Sequence, residues 1–146
     1  MEREKMLKGA ELFSGLSERY LKQLASSCRE RTFAKGELLV KQGEPGVGIF
    51  IIISGKVKVV KETSIGEKFD IAVHGPGEFI GEMTVLDGAP RSASVVAEEE
   101  TKCLLLTSWD FNAAMKTHPE IALEVLPVVV RRFRETNNKL LEMGRM

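Results

Sequence analysis

The sequence predicts a mainly β fold flanked by helices, and three observations carry that expectation. Short β-branched runs bounded by turn residues fill residues 29–107, ten of the 13 glycines fall in that stretch, and no helix-sized apolar pattern interrupts it. Strands of this kind suit an antiparallel sandwich or jelly roll, whereas a parallel α/β sheet needs a helix between successive strands. The 146 residues, 43% hydrophobic, are enough for one apolar core and short for two, so a single domain over 1–146 is expected.

Taken in order, the elements begin with a helical segment over 6–28. Ser17 is placed to cap it, Leu16 and Leu21 suit a hydrophobic staple, and Tyr20, Leu21, Leu24 and Ala25 follow at helical spacing. The clearest strands are 48–53, 57–60, 69–73, 94–97 and 103–106, with Ser54-Gly55 and Gly75-Pro76-Gly77 as reversals between them. Helical periodicity returns over 108–144, with Ser108 as an expected N-cap and Pro119 suited to the first turn of a last helix. Pro127 lies inside that last pattern, where a missing amide and a crowded ring predict a kink or break. Leu126, Val130, Phe133, Asn137, Leu140 and Gly144 recur at spacings of four and three, a heptad-like seam. It has two readings, packing on its own β-roll or pairing in a dimer coiled coil.

Lysine plus arginine and aspartate plus glutamate each total 21, so no whole-chain field draws the protein to nucleic acid or to an anionic membrane. Any anion site is therefore local. The charged start Met1-Glu2-Arg3-Glu4-Lys5 precedes no long apolar run, so neither a signal peptide nor a span is expected, and the cytoplasm is the default location. Cys28 and Cys103 lie far apart and are expected to be structural thiols. His74 and His118 are the only histidines, too few and too scattered for a metal centre.

One segment carries chemistry. Gly75 to Val95 contains a glycine permitting close backbone approach, a carboxylate, a short helical turn over 82–86 and an arginine opening a strand. Free amides at the start of that turn can meet a phosphate, and the planar fork of Arg91 matches two phosphate oxygens. Glu82, an acceptor when ionised, suits a sugar hydroxyl. Taken alone, a Glu and an Arg nine residues apart are more often a surface ion pair.

The whole pattern resembles the phosphate-binding cassette, here 79–95, of the cyclic-nucleotide-binding family, which includes catabolite-activator-type regulators, protein kinase regulatory subunits and gated ion channels. Gly43-Glu44-Pro45-Gly46 and Phe50-Ile51-Ile52-Ile53-Ser54-Gly55 resemble the family's early hairpins. The resemblance implies an antiparallel, jelly-roll-like β-roll (a double-stranded β-helix) with a short N-terminal helix and a long C-terminal one. It implies that Gly81 and Glu82 bind the ribose 2′-hydroxyl, that Arg91 and Ser92 bind the cyclic phosphate, and that Met83 and Ala93 flank them. Ser92 is Ser in catabolite-activator-type receptors and Thr in many cGMP-preferring ones, so it does not settle the base. In the last helix, Arg131-Arg132-Phe133-Arg134-Glu135-Thr136-Asn137 resembles the segment whose Thr-Ser pair contacts adenine. Thr136 and Asn137 stand there, and the Asn in place of Ser leaves cAMP against cGMP open.

The expectation is a regulatory domain, not an enzyme, with no cofactor beyond cAMP or cGMP as regulatory ligand. The last helix closes over the base, and a homodimer through it is one possible readout. Catabolite-activator-type factors continue into a helix-turn-helix, whereas this sequence stops at Met146, so direct nucleic-acid binding is not expected of these residues. The output is then an unidentified partner protein, a change of oligomeric state, or a domain outside these residues. Alternatives are a degenerate β-roll serving as an interaction scaffold without nucleotide, a haem-sensing variant of the roll with His74 near a ligand position, and a cupin-like metal enzyme. Metal content discriminates the last.

Overall fold

The computed structural model describes residues 2–144. Helix α1 (Glu2–Gly9), a 3-10 turn (Glu11–Phe13) and α2 (Glu18–Ser27) precede eight strands: β1 (Arg29–Phe33), β2 (Leu38–Val40), β3 (Gly48–Ser54), β4 (Val57–Glu62), β5 (Lys68–His74), β6 (Phe79–Ile80), β7 (Ser94–Ala97) and β8 (Thr101–Thr107). Helix α3 (Glu82–Asp87) interrupts them between β6 and β7, and α4 (Ser108–Thr117) and α5 (Glu120–Gly144) follow. The strands form two four-stranded sheets of order β1-β8-β3-β6 and β2-β7-β4-β5, with every pairing antiparallel.

The apolar runs of β3 and β8 follow from being covered on both faces. Alternate side chains of a strand point to opposite sides, so Ile49, Ile51, Leu104 and Leu106 pack under the helices with Phe13, Leu21 and Phe111. Their neighbours Phe50, Ile52, Cys103 and Leu105 face the second sheet with Val57, Ile80 and Val95. The roll thus has two cores sharing one sheet. Phe13 and Phe111 meet edge to face at 5.9 Å in the first, and Phe33 and Phe50 do the same at 5.9 Å in the second.

Several local expectations are corrected. The helical segment expected over 6–28 starts at Glu2 and divides into α1, the 3-10 turn and α2. Ser17 stands at the N-cap of α2, yet its side chain makes no cap bond; its amide donates to the Glu124 carboxylate at 3.3 Å instead. The cap of α4 is Thr107, one residue before the expected Ser108, and its hydroxyl accepts from the Asp110 amide at 3.1 Å. No break occurs at Pro127, which lies within a continuous α5. Leu123, whose carbonyl loses its i+4 donor there, is exposed, so water can take the lost bond.

The seam of α5 does not pack on its own roll. Ile121, Val125 and Val128 form the buried stripe, and Leu126, Val130, Phe133, Asn137 and Leu140 face outward. Beyond Arg132, every described residue of α5 is exposed.

Both cysteines are buried free thiols, and burial pushes each up to about 11; at Cys28 the charge of Arg3 opposes this and that of Asp110 adds to it. Because the thiolate is the reactive form, native protein at neutral pH should leave both unmodified by a thiol reagent over minutes. Denaturant should expose two rapidly reacting equivalents per chain, read by absorbance.

Candidate functional site

The turn between β2 and β3 and the segment after α3 are laced together at Arg91. Its amide donates to the Glu44 carbonyl at 2.9 Å, and its carbonyl accepts from the Gly43 amide at 2.8 Å. This pins the arginine backbone before its side chain is placed. The side chain then runs inward: Arg91 is only 5% exposed, and Nη2 donates to the Gly48 carbonyl at 2.7 Å. Its Nε is buried with no partner. Burial lowers the pKa of the guanidinium, while the charge of Glu82 raises it. A desolvated and incompletely bonded cation is an anion site in waiting.

Two glycines make room for it. A Cβ on Gly46 would lie 2.8 Å from Arg91 Nε and 2.4 Å from the Thr84 methyl. A Cβ on Gly81 would lie 2.4 Å from Arg91 Nη1, and Gly81 holds φ +93°, a left-handed conformation that favours glycine. Gly81 is also the residue that turns β6 into α3, so one position serves both the chain reversal and the cradle.

A cavity of about 250 Å³ opens beside this guanidinium, near the lower end of small-molecule sites. Gly81, Glu82, Met83, Arg91, Ser92 and Ala93, all expected from the sequence, line it. Val40, Val59 and Val95 give it an apolar side, and His74 lines it from β5. Thr136 and Asn137 do not line it. They lie on the exposed stretch of α5, where the Thr136 hydroxyl donates back to the Arg132 carbonyl at 3.0 Å.

Arg132 is the α5 residue that does reach the site, one turn before Thr136. Its Nη1 donates to Glu82 Oε1 at 2.9 Å, and its guanidinium stacks over Phe79 with Cζ 4.5 Å from the ring centroid. Glu82, assigned to a sugar hydroxyl, is therefore engaged by a cation from the last helix. Arg132 is not among the site residues expected from the sequence. A heptad count would have found it: Ile121, Val125, Val128 and Arg132 share the 4-3-4 spacing of the inward stripe.

Among the described residues, no group of three or more His, Cys, Asp or Glu is arranged to hold a metal ion, and no helix is long and apolar enough to cross a membrane.

An antiparallel roll with a glycine-cradled arginine between β6 and β7 defines a class. Residues 30–118 match the model of the cyclic nucleotide-binding domain, and the chain belongs to that family. It is 34% identical over 134 residues to the cyclic AMP receptor protein of Thermus thermophilus, covering 92% of this chain and 62% of that protein. It is 29% identical over 140 residues to the CRP-like cAMP-activated global transcriptional regulator of Mycobacterium tuberculosis, covering 96% and 62%. The chain thus spans 62% of the length of each of these relatives. Among solved structures, the N-terminal domain of a transcriptional regulator from Streptomyces coelicolor matches with a TM-score of 0.79 at 35% identity, over 92% of this chain and 94% of that one. Two of these relatives are named as transcriptional regulators and the third as a cyclic AMP receptor.

Proposed function

We propose that this chain is a receptor module for a cyclic nucleotide monophosphate, cAMP or cGMP, and that occupancy is read out through α5. The observation that carries the reading is Arg91: a buried guanidinium with an unpaired Nε, cradled by Gly46 and Gly81 at the wall of a cavity. The ligand phosphate satisfies Arg91 with help from Ser92 and the Met83 and Ala93 backbone, and Glu82 accepts from the ribose 2′-hydroxyl. The relatives named for cyclic AMP support the same ligand class.

The readout works by competition. In the arrangement described, Glu82 is bonded to Arg132 of α5, so a ribose hydroxyl shares or displaces that contact. A ligand moves an equilibrium only through its differential affinity for the two arrangements. Releasing or retightening one ion pair, followed by approach of Thr136 and Asn137 to the base, supplies that difference.

The first test is calorimetric titration of the native chain with cAMP and with cGMP; saturable binding of either supports the reading, and binding of neither rejects it. Glu82→Ala tests the ribose assignment. Loss of one hydrogen bond to a charged group should weaken binding about tenfold, and the native preference for ribo- over 2′-deoxy ligand should vanish. Equal binding of ribo and deoxy ligands by the native chain would remove that role from Glu82.

We further propose that the outward seam of α5 pairs two copies. Leu126, Val130, Phe133 and Leu140 form an unpartnered apolar stripe on a 25-residue helix. Sedimentation should show a dimer that Phe133→Glu converts to monomer, because burying an unpaired carboxylate opposes association.

A further inference from the structure

The outward seam of α5 takes heptad letters without a break. Val130, Asn137 and Gly144 fall at a, and Leu126, Phe133 and Leu140 fall at d. The residues that face the roll, Ile121, Val125, Val128 and Arg132, fall at c and f, on the opposite side of the helix. The roll therefore leaves the whole a and d face open, and each apolar side chain on it is at least 42% exposed. Every charged residue of 129–144 lies outside a and d, so Asn137 is the one polar side chain of the seam. That side chain is exposed and makes no hydrogen bond among the described residues. A polar group in the middle of an apolar seam weakens whatever packs there unless the incoming surface satisfies it.

We propose that Asn137 sets the orientation and register of the α5 pair: two copies run parallel, and their Asn137 amides hydrogen-bond to each other across the two-fold axis. The inference rests on the seam pairing proposed above and is independent of the nucleotide reading. In a parallel pair in register, each a residue meets its own counterpart, so one amide donates and the other accepts. Reversing one helix sets a against d and buries each Asn137 beside an apolar side chain with its hydrogen bonds unmade. A slip of one heptad sets it against Val130 or Gly144, with the same loss. An unrelated apolar helix fares no better. Only a second copy of this chain, in one arrangement, matches the amide.

A single polar residue at a is a device by which paired helices give up stability for one register and one oligomeric state. Val130 at a, with Leu126 and Leu140 at d, favours two strands over three. The charges agree with the parallel arrangement. Parallel pairing brings e against g, and Arg134 at e is the one charged residue of 129–144 at either position, so no like charges meet. Each amide keeps a second N–H, so pairing across the seam leaves the approach to the base intact.

The test uses the full chain carrying Gly144→Cys, at an a position where the new thiol meets its counterpart when the helices are parallel and in register. Cys28 and Cys103 are buried and stay out of the exchange. In a glutathione redox buffer this dimer should cross-link efficiently, whereas the same chain with Phe133→Glu added, which is monomeric, should not. Adding Asn137→Val instead should lower the dimer dissociation constant about tenfold or more in sedimentation, because an apolar a residue has nothing to desolvate. It should at the same time cut the effective concentration of the two thiols by at least about threefold, as reversed, slipped or larger assemblies appear. A dimer that cross-links no better than the Phe133→Glu chain overturns the proposal. So does an Asn137→Val chain whose dimer is no tighter, or whose thiols pair as before. A native chain that stays monomeric overturns the seam pairing itself, and the proposal with it; titration with cAMP reads the nucleotide site separately in every case.

Discussion

Arg91→Ala should weaken cyclic-nucleotide binding by about 30-fold to several thousand-fold, the consequence of about 2–5 kcal/mol lost when one partner of a buried charge-assisted pair is removed. The same substitution should leave the melting temperature of the free protein within a few degrees of native. Two opposed effects explain this. Truncation leaves a hole where the arginine stem packed, which costs about 2–4 kcal/mol for a buried side chain of this size. It also removes a desolvated cation, whose burial costs about several kcal/mol; only the Gly48 carbonyl bond at 2.7 Å and the neighbouring charge of Glu82 offset that burial, and Nε has no partner. A residue kept mainly for stability would show the reverse, a large drop in melting temperature and a small change in affinity. Calorimetric titration paired with thermal unfolding reads both on one preparation.

How much of this was legible in the sequence depended on what each residue answers to. β3 and β8 announce themselves because both faces are buried, leaving Ile49–Ile53 and Cys103–Leu106 as unbroken apolar runs. β1 does not: Arg29-Glu30-Arg31-Thr32 is polar and exposed, and it is a strand because β8 offers it a hydrogen-bonding edge. No local pattern encodes that edge. β2 and β6, of three and two residues, are likewise too short to show a period.

The site divides in the same way. Gly81, Glu82, Arg91 and Ser92 lie close in sequence within one cassette, and the resemblance of the whole pattern, not the Glu–Arg spacing alone, reaches them. Gly46, in the turn before β3, and Gly48, the first residue of β3, are distant in sequence and matter through contacts with Arg91 that only the folded chain makes. Arg132 lies 50 residues beyond Glu82, and its partner depends on where α5 lands. Thr136 and Asn137 show the converse. Resemblance selected them, yet as the chain is folded they lie outside the cavity, so any base contact requires α5 to move or a second copy to supply it.

Gly81→Ala should damage both the fold and the site, and it separates two physical causes when set beside Gly46→Ala. At Gly81 an L-residue must hold φ +93°, a strain of about 1–2 kcal/mol. Its Cβ would also lie 2.4 Å from Arg91 Nη1 and 2.6 Å from the Gly48 carbonyl oxygen. The carbonyl belongs to β3 and cannot retreat, so Arg91 must, and its bond to that carbonyl is weakened at a cost of about 1–3 kcal/mol. Thermal unfolding should therefore report a loss of about 2–5 kcal/mol, and titration an affinity loss of at least about 100-fold, because a displaced phosphate-binding fork no longer meets two oxygens at once. Gly46 has no positive φ, and the three atoms nearest its Cβ would be side-chain atoms of Thr84 and Arg91. Gly46→Ala should accordingly lose affinity while keeping most of its stability. Gly81→Ala binding nucleotide as the native chain does would remove the cradle from the account of this site, whereas equal stability losses in both variants would mean that the left-handed turn carries no strain of its own.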